Sequence, residues 1–222
     1  MSDIIQRSDE WYEIRLGKVT ASRVGDVMAQ GRSGAPSATR KNYMAELIAE
    51  RLTGIKPENF TSAAMQWGVE NEGLARSAYE ADKLVAVEEV GFVEHPTIKN
   101  FGASPDGLVG NDGLVEIKCP NTSTHIDNLL LPERIDNDYM RQMYAQGACT
   151  GRKWCDFVSF DPRLPEDKAL SIYRIEFVQN VIDEVEEAVS KFLAELEETI
   201  DRIFEKRPQG REEYIKRWRN VK

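Results

Sequence analysis

Residues 103–120, ASPDGLVGNDGLVEIKCP, form the stretch on which the interpretation of this chain depends. Two apolar pairs, at 108–109 and 114–115, flank the sequence GNDG at 110–113. Asn, Asp and Gly between two apolar runs are typical of the turn in a β-hairpin. The pattern therefore predicts that the chain folds back on itself within this stretch.

The predicted hairpin brings acidic side chains toward each other. A two-residue loop at 111–112 places Gly107 opposite Glu116, with Asp106 next to Glu116. A strict ladder would pair Asp106 with Ile117 and direct the aspartate to the opposite face of the sheet. We therefore expect the strand to break or bulge at Asp106 and Gly107, so that the two carboxylates converge.

Alternation along residues 114–118 places Glu116 and Lys118 on one face of the second strand. Together with Asp106 they form the pattern D-x9-E-x-K within one small volume. Two carboxylates so close repel each other unless a cation neutralises them, and a hard divalent cation with oxygen ligands does so directly. Mg²⁺ keeps several waters and bridges to phosphate, which suits the attack of water on a phosphodiester.

In that chemistry Asp106 and Glu116 hold the metal with help from the Ile117 carbonyl. Lys118 orients or deprotonates the attacking water, or stabilises negative charge at phosphorus. The same residues also fit an ordinary turn at 104–107 followed by an exposed ion pair of Glu116 and Lys118. Because D-x9-E-x-K is a loose pattern, its spacing alone leaves both interpretations open.

The composition predicts one domain spanning 1–222, with a basic tail at 211–222. The chain has 222 residues, of which 41% are hydrophobic, enough for one sizeable core. It contains no apolar run near the length of a membrane span and begins without the apolar core of a signal peptide, so we expect a cytoplasmic protein without a membrane partner. Three cysteines without metal-ligand spacing indicate reduced thiols, and two histidines give little support for a zinc site or a Ser-His-Asp triad.

A net charge of −9 argues at first against a nucleic-acid partner. Its distribution weakens that objection, because residues 1–56 contain nine basic and seven acidic residues, whereas residues 178–207 contain four and nine. A surface that contacts DNA is therefore compatible with the acidic total.

The predicted elements alternate between helices and strands. Helical signals, either a cap or apolar residues at helical spacing, occur in residues 8–17, 22–28, 39–54 with Thr39 as the cap, 62–83, 139–150 and 178–207. Strand signals occur in 84–93, 98–103, the hairpin, 154–160 and 170–177, while 121–138 reads as mostly loop. This order predicts an α/β (α+β) fold in which helices flank a central mixed β-sheet, with the acidic site at one edge of the sheet.

Several polar side chains on the predicted helices could be either solvated or functional. On 62–83, a packing stripe of Trp67, Leu74 and Ala78, with Tyr79 as a further candidate, leaves Glu72 at another angle, typical of a solvated charge. On 139–150, Gln142 and Gln146 lie one turn apart, and glutamines at such positions are more often solvated than functional.

Short matches spread over residues 11–163 nevertheless resemble one family, the phage lambda exonuclease type, or YqaJ-like viral recombinases, within the PD-(D/E)xK nuclease superfamily. The matching segments are Trp11, RLG (15–17), TAS (20–22), RSG (32–34), WG (67–68), ENE (70–72), SPDGL (104–108), EIKCP (116–120), YM (139–140) with Gln142, and DPR (161–163). So many matches in order are far more specific than D-x9-E-x-K, and they favour the nuclease interpretation.

The resemblance implies a restriction-endonuclease-like core in which Asp106, Glu116 and Lys118 are the catalytic motif. Glu72 matches a helix carboxylate that supports the metal site directly or through water. Gln142 matches a helix amide near the active centre. The implied cofactor is Mg²⁺, two ions per site, with Mn²⁺ as a substitute.

The resemblance also implies how the enzyme holds a DNA end. The residues that match a 5′-phosphate site are Arg15, Ser22 and Ser104. Arg32 matches an arginine that contacts DNA, and Met65 matches an apolar wedge that parts the last base pairs. A guanidinium fork with hydroxyls suits a terminal phosphate.

One position departs from the family pattern. Thr124 stands where the family has an arginine that contacts the phosphate, so either another group replaces that arginine or the preference for a 5′-phosphate is weaker here.

The implied activity is Mg²⁺-dependent digestion of the 5′-ended strand of linear duplex DNA to mononucleotides, leaving 3′ overhangs for recombination. The implied partners are two further copies in a ring-shaped homotrimer and a single-strand annealing protein, in a bacterial cell that hosts a phage or prophage. The alternatives are an endonuclease of the same superfamily and a DNA-end-binding adaptor with a vestigial site. The candidate phosphate pocket argues against the first, and the intact Asp106, Glu116 and Lys118 argue against the second.

Overall fold

A computed structural model of the chain describes residues 4–31, 34–55 and 62–219. Its helices are α1 (Asp9–Arg15), α2 (Val24–Met28), α3 (Ala38–Thr53), α4 (Ala63–Lys83), α5 (Thr122–Leu130), α6 (Asn137–Thr150), α7 (Gln179–Lys206) and α8 (Arg211–Tyr214). Its strands are β1 (Val19–Thr20), β2 (Val87–Glu88), β3 (Val93–Glu94), β4 (Phe101–Ala103), β5 (Gly107–Val109), β6 (Gly113–Lys118), β7 (Trp154–Phe160) and β8 (Leu170–Glu176). Among these residues, no helix is both long and apolar enough to cross a membrane.

The main sheet has five strands in the order β2-β5-β6-β7-β8. It is mixed, because β6 and β7 run parallel and the other neighbours run antiparallel. A smaller sheet, β1-β4-β3, joins the start of the chain to the strand that leads into the hairpin. The expected mixed sheet flanked by helices is confirmed, but β6 is the middle strand, so the expectation of a site at a sheet edge is wrong.

Alternation along β6 separates two apolar layers. Leu114 joins the larger core with residues of α2, α3, α6 and α7. Val115 and Ile117 point to the other face, where they pack with Ala75 and Tyr79 of α4. Because both faces of β6 are covered, any charged side chain in the middle of this strand must be buried.

The hairpin register differs from the expected one by one residue. Val109 pairs with Gly113 and Gly107 with Val115, so the loop has three residues rather than two. The ladder ends at Gly107, so the expected break of the strand at Asp106 and Gly107 is present, and the Asp106 carboxylate instead accepts from the Ile117 backbone N–H. A residue from outside the hairpin stabilises the wider loop: the Arg152 guanidinium donates to the carbonyls of Gly110 and Gly113 at 2.7 and 2.9 Å.

Other expectations fail for local reasons. Residues 121–138 contain α5, whose N-cap Asn121 accepts from the Thr124 backbone N–H. Ser37, not Thr39, caps α3 through the Arg40 backbone N–H. On α4 the expected burial of Tyr79 is confirmed, but Leu74 is 58% exposed because Ala75 lies on the buried face. The region 84–93 contains only the short strands β2 and β3, which pair with different neighbours.

The end of the chain packs against the body of the protein. Tyr214 is buried in the larger core. The Trp218 indole N–H donates to the Arg51 carbonyl at 3.0 Å. Arg51 is fully buried, and its Nε donates to the Gly17 carbonyl at 2.7 Å. The tail therefore stabilises the turn between α1 and β1.

This packing predicts a difference between two glycines that share the left-handed conformation, Gly17 and Gly151, both at φ +69. A Cβ on Gly151 meets nothing within 4 Å, whereas one on Gly17 would lie 2.5 Å from Trp218 and 2.8 Å from Arg51. Gly151→Ala should lower the free energy of unfolding by about 1 kcal/mol through strain alone. Gly17→Ala should cost about 1–3 kcal/mol more through overpacking. Denaturant unfolding measures both, and equal losses would contradict the described packing of the tail.

Candidate active site

Asp106 precedes the first strand of the hairpin and is tied to the second. Its Oδ2 accepts the Ile117 backbone N–H at 2.7 Å. Burial and the negative charge of Glu116 raise the pKa of Asp106 well above its usual range, against the opposing effect of Lys118; Glu72 adds to the rise. The folded protein therefore holds carboxylates close enough to repel each other.

Glu116 is fully buried in the middle of β6 and receives three donors. Lys118 Nζ and Gln142 Nε2 donate to its Oε1 at 2.5 and 2.6 Å, and Gln146 Nε2 donates to its Oε2 at 2.6 Å. The two glutamines lie one turn apart on α6, so both amides reach the same carboxylate. Hydrogen bonds to a charged group are the strong ones, and here they offset the cost of burying it.

Lys118 lies on the same face of β6 as Glu116, as the alternation predicts. Burial would lower the pKa of Lys118, but the charges of Glu116 and Asp106 outweigh burial and raise it. The ammonium also lies 4.8 Å from the centre of the Tyr139 ring. Lys118 is therefore a cation over the range of pH in which proteins function, held between two carboxylates and an aromatic face.

Glu72 faces this group from α4. Its oxygens accept from Arg7 and, at 3.1 Å, from Arg76 Nη2. Arginines thus occupy both carboxylate oxygens of Glu72. Glu72 therefore affects the site through its negative charge. Sequence reasoning missed Arg7, which has a positive φ of 70, a conformation uncommon for residues other than glycine.

The oxygen donors present fit a hard divalent cation. Asp106 accepts one hydrogen bond through Oδ2, and its pKa is raised first by burial and then by the charge of Glu116, a repulsion that a bound cation would relieve. Within the described residues, no three His, Cys, Asp or Glu side chains cluster as a metal cage. The two carboxylates therefore fit a hard divalent cation that completes its coordination with water.

Next to the carboxylates, Arg15 is arranged as an anion site. Its Nη1 donates to Ser104 Oγ at 3.1 Å, and its guanidinium stacks 3.9 Å above the Trp11 ring. Burial lowers the pKa of Arg15 to about 10. Among the described residues, no carboxylate lies within ion-pair distance of Arg15, although Arg23 in the same pocket pairs with Asp26 at 2.5 Å.

The pocket beside Arg15 has a volume of about 500 Å³, and Ser22 and Met65 also line it. Met65 is 57% exposed, which excludes its alternative interpretation as a core residue. A larger pocket of about 830 Å³, between His95 and Trp218, contains none of the expected site residues. Arg32 lies outside the described residues.

Trp11 and Asp161 are among the residues that match the family, but the resemblance gave them no role. The structure shows the contacts that each makes. The Trp11 indole N–H donates to Ser104 Oγ at 2.9 Å, so this hydroxyl accepts from both Trp11 and Arg15. Asp161, at the end of β7, accepts from Thr122 at 2.7 Å and from Arg163, and these bonds fix the segment that follows Lys118. Its hydrogen bonds from Arg163 lower the pKa of Asp161 to about 2.

Comparisons with known proteins identify the family. The profile of the YqaJ-like viral recombinase domain matches residues 10–153, more than half of the chain. The chain belongs to this family. No curated protein sequence matches significantly.

Solved structures resemble this recombinase-family chain over most of its length. The alkaline exonuclease LHK-Exo from Laribacter hongkongensis is 53% identical, with a TM-score of 0.83 over 90% of this chain and 97% of the other. LHK-Exo in complex with dAMP matches at 52% identity with the same TM-score and coverage. A phage-related exonuclease from Haemophilus somnus 129PT, at 16% identity, shares the fold with a TM-score of 0.67 over 84% of this chain and 96% of its own. The chain is a nuclease of this family.

Among the described residues Arg15 has no carboxylate partner and Arg23 has two, which predicts different effects of two arginine substitutions on stability. Arg15→Met keeps the apolar stem on Trp11 and removes a buried cation, so the free energy of unfolding should stay within about 0.5 kcal/mol or rise. Arg23→Met leaves Asp26 and Glu46 without their cation and should cost about 1 kcal/mol. Denaturant unfolding without DNA compares the two. A larger loss for Arg15→Met than for Arg23→Met would show that Arg15 has a structural role.

Proposed function

We propose that this nuclease is a Mg²⁺-dependent exonuclease that acts as a single domain and digests the 5′-ended strand of linear duplex DNA. It releases mononucleotides and leaves a 3′ single-stranded overhang. The observation that carries the proposal is the convergence of Asp106, Glu116 and Lys118 beside a pocket lined by Arg15, whose guanidinium has no carboxylate partner among the described residues. The dAMP in the LHK-Exo complex, a mononucleotide, supports this type of product.

Asp106, Glu116 and the Ile117 carbonyl would hold the metal, with two Mg²⁺ ions per site and Mn²⁺ as a substitute. When bound, Mg²⁺ lowers the pKa of water and stabilises negative charge on phosphate oxygens. Lys118 orients the attacking water and stabilises charge at phosphorus. Gln142 keeps Glu116 in place, and Glu72 supports the site through water or through its charge.

Arg15, Ser22 and Ser104 would select the end of the strand. A terminal phosphate carries more charge than an internal phosphodiester and offers more oxygens to a guanidinium and two hydroxyls. Ser104 precedes Pro105-Asp106, so the loop that carries a metal ligand also contacts the phosphate. Because Thr124 provides no positive charge, Arg15 bears most of this selection.

Two further residues would guide the DNA. Met65 is exposed at the start of α4 and lines the Arg15 pocket, a position that suits an apolar wedge between the last base pairs. Arg32 would contact the DNA backbone.

We also propose that the enzyme forms a homotrimeric ring, partners a single-strand annealing protein, and works in the cytoplasm of a bacterium that carries the phage or prophage. Family membership supports these proposals. A ring also accounts for the net charge of −9, because enclosure of the duplex replaces part of the electrostatic affinity that usually dominates DNA binding.

One assay tests the activity. Linear duplexes with 5′-phosphate or 5′-hydroxyl ends and a closed circular duplex are each incubated with the protein in Mg²⁺ or in EDTA. The proposal predicts Mg²⁺-dependent loss of linear DNA from the 5′ end, fastest with 5′-phosphate. Cutting of the circle would indicate an endonuclease, and binding without any cleavage would indicate an adaptor.

Lys118→Ala tests the role of the lysine. The substitution should reduce cleavage by about 10²-fold or more, because it removes the cation next to the reacting phosphate, and should leave DNA binding intact. Lys153→Ala is the matched control, since Lys153 is an exposed lysine paired with Asp112 in the hairpin loop. Cleavage of labelled duplex and a binding assay in Ca²⁺ measure the two effects. A Lys118→Ala enzyme that cuts at nearly the wild-type rate would refute this role.

A further inference from the structure

Gln146 is a buried polar residue to which the family resemblance assigns no role. Its side chain is fully buried on α6, and its Nε2 donates to Glu116 Oε2 at 2.6 Å. Its own carbonyl oxygen, Oε1, is buried and has no hydrogen-bond partner in the described structure. The amide nitrogen of Gln146 therefore makes a strong hydrogen bond, whereas its amide oxygen makes none.

The unpaired oxygen carries a cost. A buried acceptor without a donor is destabilising, and native structures contain few such groups. Turning the amide over would not help, because the carbonyl oxygen would then face the Glu116 carboxylate. An apolar side chain of the same length would avoid the cost entirely. Gln146 is therefore unfavourable for stability compared with an apolar residue, unless its N–H has a use at Glu116.

The hydrogen bonds of Glu116 indicate what the Gln146 N–H contributes there. An ionised carboxylate has about four acceptor positions, two on each oxygen. Lys118 and Gln142 occupy both positions on Oε1, whereas Gln146 occupies one position on Oε2. The remaining position is on Oε2, and the Gln146 bond determines where it points.

We propose that Gln146 is a positioning residue for the metal site: it orients Glu116 so that the remaining acceptor position of Oε2 binds the divalent cation that Asp106 shares. The inference rests on the proposed metal dependence. Groups that orient a metal ligand contribute to affinity without touching the metal, and their loss typically weakens binding by about 10–100-fold.

The test separates orientation from packing. Gln146→Met keeps the length of the side chain and removes both the donor and the unpaired oxygen. The free energy of unfolding should change little, because the loss of the donor to buried Glu116 and the removal of the unpaired oxygen offset each other. The Kd for Mn²⁺, measured by EPR of free Mn²⁺ on metal-stripped protein without DNA, should rise about 10-fold or more. The Mg²⁺ concentration for half-maximal cleavage should rise in parallel. A purely structural role predicts lower stability with an unchanged Kd for Mn²⁺.

Met143→Leu is the matched control, because Met143 is also fully buried on α6 but packs in the apolar core. This swap conserves volume and should leave the Kd for Mn²⁺ unchanged. Gln146→Leu repeats the test if the methionine variant does not fold.

Wild-type Mn²⁺ affinity in a folded Gln146→Met or Gln146→Leu protein would overturn the role of Gln146 and leave the proposed function standing. An equal loss of affinity in Met143→Leu would also overturn it, because any change in the packing of α6 would then be sufficient. If the wild-type protein itself binds no Mn²⁺ and cleaves DNA in EDTA, the proposed metal dependence fails, which is a separate result.

Discussion

The buried carboxylate of Glu116 is the constraint on which the rest of the structure depends. It lies in the middle strand of the main sheet, where helices cover both faces and water does not reach it. An isolated charge at such a position would cost several kcal/mol. Two glutamines from α6 and the ammonium of Lys118 offset that cost, so the position of α6 and the charge at the site are set together. Asp106 adds a second negative charge that these donors do not neutralise, which leaves the site ready for a cation.

Under the proposed function, the same arrangement would link cleavage to recognition of the strand end. Ser104 accepts hydrogen bonds from Trp11 and Arg15 on α1, and two residues later Asp106 is held by the Ile117 backbone N–H. One short loop thus connects an anion pocket to a pair of carboxylates. Arg15 is desolvated and, within the described residues, lacks a carboxylate partner. This is unfavourable for the free protein and favourable for one that binds a phosphate there.

The local part of this architecture could be predicted from sequence, and the long-range part could not. GNDG between apolar pairs predicts the hairpin, and alternation predicts the shared face of Glu116 and Lys118. The residues of the turn alone predicted a two-residue loop. The observed three-residue loop is stabilised by Arg152, which is far along the chain. Helix α5 was missed because TSTHIDNLL has few strong helix formers. Gln146 was missed because a glutamine one turn from another is usually solvated, and only the fold shows the carboxylate that both reach.

The central claim is that the Asp106 and Glu116 pair is a cation site, and the most direct measurement is thermal stability as a function of Mg²⁺ and Mn²⁺ concentration. A cation that binds only the folded state raises the Tm progressively with concentration. The account predicts that rise for the wild-type protein. It also predicts that Asp106→Asn raises the Tm of the metal-free protein by removing the repulsion with Glu116, and abolishes the response to metal. A wild-type Tm that does not change with either cation, or a full response in Asp106→Asn, would contradict the account.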